Sequence, residues 1–279
     1  MSDKIKTYLR FPLSRRIEHI VLLTTFIILA ATGLPQKYPL SSISVFIVRA
    51  LGGIENLYKI HHIATVIVMI AVTYHLLTIA YHVFVLRSKW SMMLFPQDMK
   101  DGLQALLYNL GFAKSPPKMG RYTFEEKFEY WAFVWGYTVM AISGFLMWNP
   151  VISFKILPGE LFPAARAAHG GEAVLAVLAI LVWHMYHVRI KRVNNAMFTG
   201  QLSEEAMEED HPLELEEIKA GRADHKPDAA TVRKRQRVFY PLAAFFTLIM
   251  LFGAYKYVTI EHTAVDVVPP ISAPANIAP

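Results

Sequence analysis

The chain has 279 residues, 54% of them hydrophobic, with 28 Lys and Arg against 22 Asp and Glu and no cysteine. It is too apolar for a soluble domain and long enough for several spans of ~20 residues, and the missing cysteines exclude covalent haem c, thiolate-held iron–sulfur clusters, zinc–thiolate sites and disulfides from this chain. The basic residues sit beside apolar runs rather than on an amphipathic surface, which argues for membrane orientation signals and no nucleic acid.

In chain order, residues 1–18 carry five basic side chains and read as a cytoplasmic N-terminus without a signal peptide. Span one is expected from about His19 to Leu34, stopping at Gly33-Leu34-Pro35, and the apolar SSISVFIVRAL piece after it should lie along the membrane interface. Span two begins near Ile60 and passes Tyr81, carrying His61, His62, His75 and His82. A polar connection from Arg87 to Lys127 follows, with Trp90 and Trp131 near its edges as interface anchors. Span three, about Phe128 to Trp148, has no histidine; span four lies within Ala167 to Arg192 and is apolar between His169 and His184 apart from Glu172. An acidic segment, LSEEAMEEDHPLELEEIK, and a basic RKRQR lead to span five, Val238 to about Ile260, and the Pro-rich tail should be extended. The expected fold class is all-α: an integral membrane four-helix haem-binding bundle (19–192), a cytoplasmic acidic/basic extension (193–237), a fifth transmembrane helix (238–260) and a periplasmic tail (261–279).

Charge fixes the expected orientation. Five Lys and Arg precede span one, seven lie between spans two and three and ten between spans four and five, leaving six for the other side. By the positive-inside bias the N-terminus is expected to be cytoplasmic and the C-terminal tail periplasmic or otherwise outside, and the expected location is a bacterial inner membrane.

Histidines inside spans are costly and normally serve a partner or a cofactor. His169 and His184 are fifteen residues apart, which is ~22 Å of rise and about 60° of rotation; His61 and His75 are fourteen apart, ~21 Å and about 40°. Two spans therefore offer imidazoles at two matching depths, and haem is the cofactor most often held this way in helical bundles. His61 and His169 could clasp an outer haem, with His62 as the fallback about 100° away around the helix. The inner haem needs His184 plus His75 or His19, and spacing alone does not choose. A lone intramembrane histidine is more often a packing residue than a ligand, but two depth-matched pairs are hard to obtain from packing. His211 and His225 are expected to be solvent-exposed.

Arg15-Arg16-Ile17-Glu18-His19, with the apolar span ending Ala31-Thr32-Gly33-Leu34, resembles the first helix of the cytochrome b subunits of membrane-bound formate dehydrogenases and nickel–iron hydrogenases. His184-Met185-Tyr186 and residues 200–217 resemble the fourth helix and cytoplasmic extension of the formate dehydrogenase gamma subunit. The resemblance covers roughly residues 10–217. It implies two bis-histidine haems b, the outer on His61 and His169, the inner on His19 and His184. It also implies electron transfer between quinone near the inner haem and a periplasmic redox subunit carrying iron–sulfur or multihaem c centres.

The chain departs from the family in three ways: the helix-four spacing is one residue longer, His75 is an extra candidate, and span five lies outside the core. Where the formate dehydrogenase subunit has Asn-Ala-Gly-Gln, this chain has Thr123-Phe124-Glu125-Glu126. Glu126, at the glutamine position, and Glu125 are thus candidates for proton exchange with quinone, against the plainer reading that both cap span three. The competing function is a transporter whose intramembrane histidines relay protons or bind metal.

Overall fold

The computed structural model describes residues 6–222 and 227–259. In chain order it contains β1 (Thr7–Leu9), α1 (Leu13–Lys37), α2 (Ser42–Ala50), α3 (Ile54–Leu86), α4 (Pro96–Asn109), α5 (Phe124–Trp148), α6 (Pro150–Ile156), α7 (Leu161–Lys191), α8 (Ala196–Thr199), β2 (Gln201–Ser203), α9 (Glu204–Asp210), α10 (Pro212–Lys219) and α11 (Ala229–Thr259). Five of these, α1, α3, α5, α7 and α11, are long and apolar enough to cross a membrane, so the chain is a helical, multi-pass membrane protein.

Local sequence sets the element ends. Thr123 caps α5 by accepting from the Glu126 N–H at 3.2 Å, while the Glu126 carboxylate accepts from the Thr123 N–H at 3.0 Å, a complete capping box. Gly52 and Gly53, both with positive φ, turn the chain from α2 into α3. Within the spans, Thr and Ser hydroxyls donate to carbonyls one turn back, as Thr25 does to Val21 at 2.8 Å, which satisfies them where no water is available.

The spans pack as two pairs. Helix α1 runs along α3 and α5 along α7; α1 also touches α7, and α3 makes no comparably close backbone packing with α5 or α7. Helix α11 stands against the Tyr81–Leu86 end of α3, held by Arg235 donating to the Val85 carbonyl at 2.9 Å and Gln236 to the Tyr81 hydroxyl at 2.7 Å. The apolar piece after span one is the helix α2, with Ile43 and Phe46 both 72% exposed, which suits an interfacial position.

At the His19 end, segments remote in sequence build a small cap. Strand β1 pairs antiparallel with β2, and Phe11, Ala196, Leu202, Ala206, Met207 and Leu215 form its core. Arg10, 2% exposed, joins the parts: it donates to Glu214 at 2.6 Å, to the Arg121 carbonyl, and lies 3.3 Å from Glu126.

Several boundaries and one exposure differ from expectation. Span one starts at Leu13, since Pro12 supplies the extended residue ahead of the helix, and it continues through Pro35 to Lys37, because peptide groups in apolar surroundings keep their helical bonds. The basic RKRQR belongs to α11 rather than preceding it. His211 is buried, not solvated: at 2% exposure its Nδ1 donates to the Gly120 carbonyl at 3.0 Å. Burial first, then the Arg10 charge, pushes its pKa down to about 3. His225 and the tail 261–279 lie outside the described residues.

Candidate functional site

The histidines of α3 and α7 nearest the α2 end are held alike. His61 Nδ1 lies 2.8 Å from the Thr32 hydroxyl of α1, and His169 Nδ1 lies 3.0 Å from the Ser143 hydroxyl of α5. Each hydroxyl also reaches a carbonyl of its own helix, Ile28 at 2.7 Å and Val139 at 2.6 Å, so its hydrogen is committed there and its oxygen accepts from the imidazole. That fixes the proton on Nδ1 and leaves Nε2 with its lone pair. In both cases the next residue is glycine: a Cβ at Gly33 would stand 3.2 Å from His61 Cε1, and one at Gly144 would stand 3.2 Å from His169 Cε1. Two unrelated helices thus carry the same hydroxyl–glycine pair, one atom orienting the ring and one missing atom making room for it.

At the capped end, His19 of α1 and His184 of α7 face each other with ring centres 6.5 Å apart. His184 Nδ1 donates to Glu129 of α5 at 3.0 Å. A carboxylate only accepts, so this tautomer too leaves Nε2 free. His19 packs its ring edge-on to Phe198 of the cap, and its Nδ1 is buried with no hydrogen-bond partner among the described residues. Residues Ala179–His184 are wound as a π-helix, whose i→i+5 bonding takes up one more residue per turn and absorbs the extra residue between His169 and His184.

The remaining candidates have other partners. His75 Nδ1 lies 2.7 Å from Glu18, whose charge is balanced by Arg15 at 3.0 Å, and its Nε2 lies 3.2 Å from the Tyr130 hydroxyl, so both ring nitrogens are engaged by protein. His62 stacks on Trp148 at 4.1 Å between ring centres. Glu126 is tied into the capping box and to Arg10; Glu125, the next position around α5, is half-buried. Sequence reasoning missed Glu129, Thr32 and Ser143 as partners of the histidines. The repeated Thr-Gly and Ser-Gly pairs were visible in the sequence, but nothing local says which ring each one meets.

Among the described residues no three His, Cys, Asp or Glu side chains converge as a bare-ion site, whereas His19 of α1 and His184 of α7 form a facing pair. A pair suits a metal whose other ligands come from a macrocycle. Two imidazoles sharing one metal at about 2 Å each, with ring centres about 1.2 Å beyond the bonding nitrogens, stand roughly 6.4 Å apart, and His19 and His184 meet that spacing. No protein-family model matches the chain, and no curated protein matches it.

Proposed function

We propose that this chain is a dihaem cytochrome b subunit, carrying electrons across a bacterial inner membrane between the quinone pool and a periplasmic iron–sulfur or multihaem c partner. His61 and His169 would hold the outer haem, and His19 and His184 the inner. The reading is carried by one observation, the 6.5 Å separation of the His19 and His184 rings, with His184 Nδ1 given to Glu129 and the buried His19 Nδ1 without a hydrogen-bond partner among the described residues. Haem iron held by two imidazoles passes single electrons and offers oxygen or substrate no open position. The chain's own part is to orient the rings: Thr32, Ser143 and Glu129 fix tautomers that present Nε2, and Gly33 and Gly144 admit the rings of His61 and His169. The spans leave most of their apolar surface uncovered by protein, as suits helices whose neighbours are lipid and a prosthetic group.

His19 is preferred over His75 as the partner of His184, because His75 has both nitrogens committed. Quinone proton exchange is assigned to the capped, cytoplasmic end, where Glu125, Glu126 and the His75–Glu18 pair are ionisable. The resemblance to the formate dehydrogenase and hydrogenase cytochromes b supports the same end and the same ligands. A transporter reading draws on the Arg15–Glu18–His75–Tyr130 cluster alone. The visible spectrum of the purified protein decides between them: the dihaem reading requires a reducible low-spin b-type spectrum, and a colourless, fully folded protein would refute it.

A further inference from the structure

We propose that α4 lies in the plane of the membrane surface at the capped end, with its apolar side sunk into that leaflet and the lysines beside it on the headgroups of anionic phospholipids. This placement does not depend on the haems.

The connection between α3 and α5 is not polar throughout. Helix α4 exposes Met99, Leu103 and Leu106, and Leu110 follows at its end, each between 54% and 60% exposed. At about 100° per residue the four fall within about 60° of one another and form one apolar stripe. Gly111, with φ 81°, ends the helix, and Phe112 beyond it is 79% exposed while its N–H donates back to the Leu107 carbonyl at 2.8 Å. An uncovered stripe of this length marks a surface that meets something apolar.

The other sides of α4 show what that is. Asp98 and Gly102 lie about 90° to one side of the stripe and are taken by the first turn of α5. Lys127 donates to Asp98 at 2.6 Å with both residues buried, and a Cβ at Gly102 would stand 2.7 Å from Phe124 Cδ1. Asp101, Gln104 and Tyr108 lie roughly opposite the stripe, where Asp101 accepts from Gln97 at 2.8 Å and Gln104 donates to the Ser115 carbonyl at 3.2 Å. Protein thus holds one flank, polar groups form the back and apolar side chains the front. The turn that grips α4 is the start of a membrane-crossing helix, so α4 is held at the depth of the bilayer surface, where this cross-section is that of an in-plane helix. Tryptophan marks the same depth: Trp131 Nε1 donates to the Met92 carbonyl at 3.0 Å just ahead of α4, and Trp90 is exposed beside it.

Charge selects the lipid. Lys100, on the free flank of α4, and Lys114 and Lys118 just after it are exposed and pair with no carboxylate among the described residues. Lysines at the edge of an immersed apolar face lay their stems along it and set their ammonium groups among the headgroups, where an anionic phosphate is the complementary charge.

The chain has no cysteine, so single cysteines can carry a spin label without other changes. Leu103→Cys, Leu106→Cys and Leu110→Cys sample the stripe, and Gln104→Cys and Tyr108→Cys the back. The full chain is placed in vesicles of phosphatidylcholine and phosphatidylglycerol, and each label is read against oxygen, which concentrates in lipid, and a water-soluble nickel chelate. The ratio of oxygen to chelate access should be several-fold higher on the stripe than on the back. Equal ratios, which mean that the stripe faces water, overturn the proposal. Stripe labels that are immobilised and shielded from both reagents also overturn it, because a second copy or another protein then covers them. One label from each side decides, so a variant that fails to fold leaves the test intact. Replacing Lys100, Lys114 and Lys118 together by Gln should lower the ratio on the stripe, and a ratio that does not change overturns the headgroup assignment.

Discussion

The two histidine layers are built from different materials. The outer one is made wholly within the spans, from a hydroxyl–glycine pair repeated on α1 and α5. The inner one draws on a carboxylate of α5 and on Phe198, a residue of the cap that only the fold of the extension brings near His19. The outer layer should therefore answer to changes in the spans alone, and the inner layer to events in the aqueous cap as well.

The largest effect should come from removing a ligand at the layer where two candidates compete. His19→Ala should abolish the inner haem signal and spare the outer one, while His75→Ala should keep both, as read by haem content and spectrum. Loss of the inner signal in His75→Ala with its retention in His19→Ala would reverse the assignment.

Arg10→Ala should come next. It strips the buried partner from Glu214 and leaves that carboxylate with Arg121 alone, which typically costs about 3–5 kcal/mol. Proteolysis of residues 193–222 should become rapid and the inner spectrum should broaden, with the outer spectrum unchanged. An outer spectrum that broadens equally would mean that the cap supports both layers.

Smaller effects should follow at the outer layer. Thr32→Val and Ser143→Ala remove the acceptor behind one ligand each, and should weaken outer-haem retention by roughly 10–100-fold while the inner haem stays. Retention equal to wild type in both variants would show that the glycine cradle alone positions these rings.

The smallest expected effect is a pH dependence confined to the cap. His211 is neutral in the folded chain, with its pKa pushed down to about 3, against about 6.5 when unfolded. Above pH ~6.5 neither form binds the proton, and stability is flat. As the pH falls below that value only the unfolded form takes it, so the cap weakens progressively toward pH 3. Protease sensitivity of residues 193–222 should rise between pH 7.5 and pH 5 in the wild type and rise less in His211→Gln; equal slopes would remove His211 as the cause.

Sequence patterning made the spans legible because lipid demands unbroken apolar helices, and it made the histidine depths legible because rise per residue is constant in a regular helix. It was less sure where regularity fails. The π-wound turn before His184 absorbs a residue that a uniform helix would have placed out of register. Glu129 was in plain view one turn into α5, but its meaning depends on α7 lying alongside, a contact between residues 55 positions apart in the chain. The cap was hidden for the same reason: nothing local in the sequence ties Arg10, Arg121 and Glu214 together, and only the fold brings them into contact. His211 was misread because a polar residue in an acidic stretch looks solvated, and only the strand pair and the Gly120 carbonyl bury it.

The central claim is that two separate layers each hold one haem. Pyridine haemochrome on the wild type, His169→Ala, His184→Ala and the double variant tests it most directly. The account predicts two, one, one and no haems b per chain, with different spectra for the two single variants. Wild-type protein with one haem or none, or a single variant that loses both, would contradict it.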